Sequence, residues 1–206
     1  MGANGVDFLI PAGSDPRGFL AAGRIIDHNN PAVQEVARRL ADGLTDDEAI
    51  AERCYLFVRD EICHSADFSM NPVTLKATDV LLHRTGFCYA KSHLLTALLR
   101  ADGIPAGLCY QRIRSSGTGH RFALHGLNAV YLKEHGWYRI DARGNKSGID
   151  ARFEPPAEHL AFILREPGEG DLPGIFPEPF PEVIVALMRC RDYREVMDNL
   201  PDRPFP

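Results

Sequence analysis

Apolar residues begin to recur at helical spacing from residue 30. Asn30 is a good helix cap, Pro31 suits the first helical position, and Val33, Val36, Ala37 and Leu40 share one face until Asp42-Gly43 ends the run. Thr45 and Glu48 form a capping-box pattern for a second helix, whose inner face carries Ile50, Cys54, Phe57, Val58 and Ile62. A mixed connection from Cys63 to Thr78, turning at Asn71-Pro72, leads to a short helix over Asp79 to His83. The strongest signal follows Cys88. Ala90, Leu94, Ala97, Leu98 and Ala101 recur on one helix face, and Asp102-Gly103-Ile104-Pro105 stops it. Cys88 therefore falls in the first turn of that helix.

After Pro105 the period changes from helix to strand. Leu108 to Ile113 reads as a strand and Ser115 to Gly119 as a loop. Phe122 to Leu132 alternates, Lys133-Glu134-His135-Gly136 turns the chain, and Trp137 to Asp141 returns it as an antiparallel hairpin. Helices first and sheet second, without βαβ alternation, predict an α+β fold. Residues up to Asp27, with turn chemistry at Pro11 to Pro16, form an irregular lead-in. From Pro155 onward the prolines and glycines predict little regular structure until helices at Pro181 to Met188 and Tyr193 to Leu200, with Pro201 to Pro206 as a tail. The expected organisation is a single domain over residues 1–206, with a core of about 45–155 and a Pro/Gly-rich extension over 156–206.

Composition narrows the function classes. With 45% hydrophobic and 25% charged residues the chain is an ordinary globular one, and a net charge of -5 without any dense Lys/Arg run argues against nucleic acid as partner. No apolar stretch approaches a membrane span, and Met1 to Ile10 lacks a basic leader, so no membrane partner and a cytoplasmic location are expected. Five cysteines at irregular spacing (Cys54, Cys63, Cys88, Cys109, Cys190) favour reduced thiols. They lack the paired spacing of a zinc site. A metal set drawn from Cys63, His64, His83, Cys88 and His93 is disfavoured by its spacing, and no metal or cofactor is expected.

Candidate chemistry centres on three residues. At a helix start, unpaired N–H groups and the positive dipole end stabilise a thiolate, the nucleophilic form of Cys88. A hairpin turn centred near Lys133 puts His125 opposite Asp141, with Cβ atoms roughly 5 Å apart on one face. Such a set suits nucleophilic acyl transfer: His125 exchanges the proton and Asp141 orients and charges the imidazole. The Cys88 N–H is one oxyanion donor. His64 and Gln111 are candidates for a second. Tyr89 and Trp137 are further candidates near substrate, although Trp137 reads first as core. Arg143 reads as part of a turn and as a possible anchor for an acidic substrate group. Taken singly, His83 and His93 read as packing or surface groups, and Cys54, Cys63, Cys109 and Cys190 as structural.

These motifs resemble a known family. Gly86-Phe87-Cys88-Tyr89-Ala90-Lys91-Ser92, the helix end Leu98 to Ala106, His125-Gly126-Leu127-Asn128-Ala129-Val130 and Trp137-Tyr138-Arg139-Ile140-Asp141 are similar to the transglutaminase-like superfamily, its bacterial members above all. The resemblance runs from about Val58 to Ala142. It implies a papain-like core with the cysteine helix on an antiparallel sheet, catalytic roles for Cys88, His125 and Asp141, and amide chemistry through a thioester. The implied substrate is a peptide or protein amide, with water or an amine as acceptor. Family members commonly carry an aromatic residue near the position of His64, beside the oxyanion site; here the local sequence is Glu61-Ile62-Cys63-His64-Ser65. The calcium and extra β domains of animal transglutaminases do not carry over. The alternative reading is a non-catalytic peptide-binding domain that keeps the fold, and a third is a metal hydrolase. The sequence leaves the oligomeric state open.

Overall fold

The computed structural model describes residues 15–115 and 122–205. Most of the expected lead-in turn at Pro11 to Pro16, all but the first residue of the loop at Ser115 to Gly119, and Pro206 lie outside the described residues. After a 3-10 turn at Pro16–Phe19, helix α1 spans Pro31–Ala41, and the Asn30 side chain accepts from the Ala32 N–H at its start. Helix α2 (Asp47–Glu61) is capped by Asp46 and not by Thr45. The Asp46 carboxylate reaches the Ala49 N–H three residues on, where an acidic cap also meets the positive end of the dipole.

Strand β1 (Cys63–His64), helix α3 (Ala77–His83), strand β2 (Thr85–Gly86) and helix α4 (Cys88–Ala101) follow, then strands β3 (Ala106–Arg114), β4 (Phe122–Leu132) and β5 (Gly136–Ile140). The C-terminal part adds β6 (Arg152–Glu154), β7 (Ala157–His159), β8 (Gly170–Asp171), α5 (Pro181–Arg189) and α6 (Tyr193–Asp198). The main sheet is antiparallel throughout, in the order β5-β4-β3-β8. β1 and β2 make a separate two-stranded parallel piece that sets His64 beside Gly86, just ahead of α4. The chain is thus α+β with a cysteine-bearing helix packed on an antiparallel sheet.

Helix α4 is not amphipathic, as its apolar spacing suggested, but buried on every side from Cys88 to Arg100. It packs between α1, α2 and α3 on one side and β3 and β4 on the other. A helix so enclosed must satisfy its polar side chains internally. Lys91 donates to the carbonyls of Arg59 and Ile62, which lie at the C-terminal end of α2, where a cation is favoured. Arg100 donates to the carbonyls of Ala106, Ala21 and Pro177. From the sheet side, the Asn128 amide donates to the Ser92 carbonyl at 2.9 Å and to the Thr96 hydroxyl at 2.8 Å.

The extension beyond Pro155 holds more structure than its composition suggests. β6 and β7 pair as a small hairpin, β8 adds to the free edge of β3, and Phe176 exchanges backbone hydrogen bonds with Leu108. Even the tail is fastened, by the Pro201 carbonyl to the Leu124 N–H and by Asp202 to Arg112.

Helix and sheet meet most closely at Gly126. A Cβ there would stand 3.1 Å from the Tyr89 Cα and 3.3 Å from its backbone N, closer than ordinary packing permits. Gly126 therefore sets how near the α4 N-terminus lies to β4. Gly126→Ala is expected to lower the unfolding free energy by about 1–3 kcal/mol, the scale of an overpacked core. Urea denaturation against the unsubstituted chain measures it.

Candidate active site

Cys88 is the first residue of α4, behind Phe87, whose extended backbone serves as the cap without a side-chain hydrogen bond. The Cys88 side chain is buried at 8% exposure, and its Sγ accepts from the Gly126 N–H at 3.5 Å. Gly126 thus brings both its missing side chain and its amide to the thiol. His125, the residue before it on β4, is 2% exposed, and its Nε2 lies 2.7 Å from Oδ2 of the fully buried Asp141.

The hairpin register differs by two residues from the one expected. Asn128 pairs with Ile140, Tyr131 with Trp137, and Leu132 with Gly136, so the turn centres on Glu134 and not Lys133. The cause is the turn itself, since Gly136 takes the left-handed conformation at φ 71° and closes β5 one step later. Asp141 consequently lies just past the end of β5 and diagonal to His125. A slip of two keeps the strand parity, so both side chains remain on one face.

Asp141 is surrounded by donors. Its Oδ1 accepts from the Arg143 N–H at 3.1 Å, and its Oδ2 accepts from the Ala161 N–H at 3.0 Å as well as facing His125. Burial alone would raise the Asp141 pKa, but the charge of His125 and these hydrogen bonds hold it below the usual carboxylate value. Burial likewise works against a charged His125, yet the Asp141 charge, the Cys88 charge and hydrogen bonding to both raise its pKa to about 10. The arrangement favours an imidazolium beside the thiol, with Nδ1 left to serve Cys88 because Nε2 is engaged by Asp141.

The remaining sequence candidates occupy distinct places. His64 packs edge-on against Phe87, with ring centroids 5.6 Å apart, which places it beside the start of α4. Among the described residues its Nδ1 is enclosed without a hydrogen-bond partner, 3.8 Å from Asp67. Burial and the neighbouring Arg143 charge push the His64 pKa down to about 3, so the ring is neutral. Gln111 lies directly across from His125 in the β3–β4 register, but its amide nitrogen is committed to Asp171 at 3.0 Å. Tyr89 is turned into the core and donates its hydroxyl to the Leu124 carbonyl. Trp137 packs between Phe19 and Tyr131 in a smaller apolar cluster. Arg143, which the sequence offered as a substrate anchor, grips Asp67 with both guanidinium nitrogens at 2.7 and 3.1 Å, and Lys146 joins at 2.6 Å.

Three contributions escaped sequence reasoning. Ala161 and Arg143 act through backbone N–H groups, which no residue type announces. Phe162 sets its ring edge-on against His125, with centroids 4.8 Å apart, from a loop the composition marked only as irregular. All five cysteines are free thiols, and no group of three His, Cys, Asp or Glu placed to hold a metal occurs among the described residues.

Fold and site together define a papain-like domain carrying cysteine, histidine and aspartate at one helix–sheet junction. The chain belongs to the transglutaminase-like superfamily, whose family model matches residues 34–142. No curated protein matches it. Among solved structures it is similar to a candidate cysteine protease from Cytophaga hutchinsonii, at 20% identity and TM-score 0.52, over 66% of this chain and 45% of that one. The periplasmic domain of TgpA from Pseudomonas aeruginosa aligns at 22% identity and TM-score 0.48, over 63% of this chain and 48% of that one. The chain thus spans about half the length of these structures. Among the described residues no helix is long and apolar enough to cross a membrane.

Buried neutral histidines make stability depend on acid. Burial lowers the His93 pKa to about 4, against the partial support of the Leu75 carbonyl at 2.8 Å from its Nδ1, and His64 behaves alike at about 3. Between pH 6.5 and these values the unfolded chain binds protons that the folded chain refuses, so stability is present above about 6.5 and falls as pH falls. The expected slope is about 1.4 kcal/mol per pH unit for each titrating histidine. His93→Gln removes one of them and is expected to flatten the acid limb, measured by urea denaturation from pH 7 to 4.5.

Proposed function

We propose that this protein is a thiol-dependent hydrolase or acyltransferase of amide bonds in peptides or proteins, with Cys88 as nucleophile, His125 as general acid and base, and Asp141 as the group that orients and charges the imidazole. The observation that carries this reading is the enclosed His125–Asp141 pair, 2.7 Å between Nε2 and Oδ2, set against a cysteine on the first residue of a helix. The Cys88 thiolate attacks the carboxamide carbon to give a tetrahedral oxyanion. As the oxyanion collapses, the C–N bond breaks, the nitrogen takes the proton from His125, and the amine leaves with the acyl group held as a thioester on Cys88. Water, or an amine, then attacks the thioester, passes its proton to His125, and releases Cys88 as thiolate. Water is the acceptor we assign.

The oxyanion needs donors placed where its charge develops. The Cys88 N–H, left unpaired by its helix-start position, supplies one. We assign His64 as the second, through Nε2: the neutral ring has a single proton, and Nδ1, 3.8 Å from Asp67 and without a hydrogen-bond partner among the described residues, does not commit it. It stands in for the aromatic residue of the family at this place.

Cys88→Ala is expected to fold normally and to lose all turnover. The assay is a pooled peptide library incubated with and without methylamine and read by mass spectrometry, where a hydrolysed product marks water and a methylamide marks amine transfer. Turnover retained by the folded Cys88→Ala protein would overturn the assignment. Asp141→Asn is expected to lower kcat by about 1,000-fold or more. His64→Ala is expected to lower kcat by about 100-fold with little change in KM, and His64→Gln to recover part of it through its amide donor.

A further inference from the structure

A second concavity adjoins the site on the histidine side. It is a cleft of about 480 Å³, within the range of ligand pockets, lined on its apolar side by Ile149, Leu160, Ala161, Phe162 and Ile163. Two of these residues are already part of the site: the Ala161 N–H holds Asp141, and the Phe162 ring lies against His125. The cleft therefore shares Phe162 with His125 and Ala161 with Asp141. Ile163 is 74% exposed, an apolar side chain that the core does not use. Lys146 and Asp150 also line the cleft, paired with Asp67 and Arg152, whereas the exposed Arg165 side chain has no carboxylate partner among the described residues.

We propose that this cleft is the leaving-amine subsite, and that it selects a bulky aliphatic or aromatic group on the nitrogen side of the scissile amide. This rests on the triad reading given above. General-acid transfer requires the departing nitrogen within hydrogen-bond reach of the His125 ring, so whatever that nitrogen carries extends past the imidazole. On that side stands Phe162, and behind it the apolar wall. Apolar surface placed there is removed from water, while Arg165 draws a carboxylate toward the rim. The residues with this role are specificity determinants and take no part in bond making.

The test uses reagents whose reaction with Cys88 needs no knowledge of the natural substrate. The thiolate displaces chloride from an N-substituted chloroacetamide, forming a C–S bond, so N-methyl, N-butyl and N-phenethyl chloroacetamides differ only in the group offered to the cleft. Each rate at Cys88, followed by peptide mass mapping, is divided by the iodoacetamide rate for the same protein, with the partly exposed Cys63 and Cys190 as internal references. The phenethyl reagent is expected to exceed the methyl one by about tenfold, the effect of burying about two methylenes. Ile163→Asp, a change at an exposed position, is expected to abolish most of that preference, and Phe162→Ala to reduce it. A preference near one in the unsubstituted protein, or one unchanged by Ile163→Asp, overturns the subsite and leaves the triad standing. Cys88 reacting with iodoacetamide no faster than Cys63 and Cys190 overturns the triad reading and the subsite with it.

Discussion

The constraint on which this structure depends is a carboxylate with no access to water. Asp141 is fully buried, and a charge so placed is tolerated only when every lone pair facing the protein has a donor. Its three donors come from three parts of the chain: the His125 ring on β4, the Arg143 N–H beyond β5, and the Ala161 N–H in the extension. Each then has to be held. The Arg143 guanidinium clamps Asp67, which ties the loop after β5 to the loop after β1. The Ala161 segment is flanked by Glu158 and Asp171, both of which accept from Arg139 on β5 at 2.6 to 3.1 Å. Removing Asp141 would leave these contacts without a common purpose; removing any one would leave Asp141 short of a donor.

The same economy of donors explains the central helix. Lys91, His93 and Arg100 would be improbable inside a core on charge alone, yet each reaches backbone carbonyls. For Lys91 the setting has a consequence. Burial and the Arg143 charge bring its amine down to about 7, so it sits near neutrality while it closes the end of α2. The helix start that carries Cys88 is thus anchored about one turn later by Lys91 gripping α2 and by the Ser92 carbonyl held from β4, and two turns later by Thr96 held from β4. Positional precision at the thiol follows from this clamping more than from helix propensity.

Much of the site was legible because its parts obey local rules. A cysteine followed by helical periodicity marks a helix start, and period-two alternation fixes which strand residues share a face. That parity argument survived a register error of two residues, since only an odd slip would have turned Asp141 away from His125. The cap of α2 at Asp46 and the closure at Gly136 were missed for a common reason: two neighbouring residues fit the same local rule, and geometry chose between them. The enclosure of α4 was missed because polar residues in a sequence read as a solvent face, whereas here carbonyls from four distant segments receive them. The extension was the least legible part. Its contribution to the site is a backbone N–H and a ring edge, brought from twenty and twenty-one residues beyond Asp141 by pairing that no local pattern encodes.

The two sides of the site differ in chemistry, and the difference orients whatever binds. Beyond His64 lie Asp67, Arg143 and Lys91 around a cavity of about 160 Å³, with Lys146 bonded to Asp67. Beyond His125 lie Phe162 and the apolar cleft. On the proposed chemistry, an amide carbonyl oxygen turned toward the first side would meet donors as its charge grows, and the nitrogen would then point to the second side, toward the His125 imidazole. Reversal would direct the developing oxyanion at the ring of Phe162 and an apolar substituent into a cluster of ion pairs, both unfavourable. Lys146 joins the two sides, bridging Asp67 on one and lining the cleft on the other. The cleft thus adjoins, through Lys146, the Asp67–Arg143 ion pair, whose Arg143 charge adds to burial in keeping the His64 ring neutral.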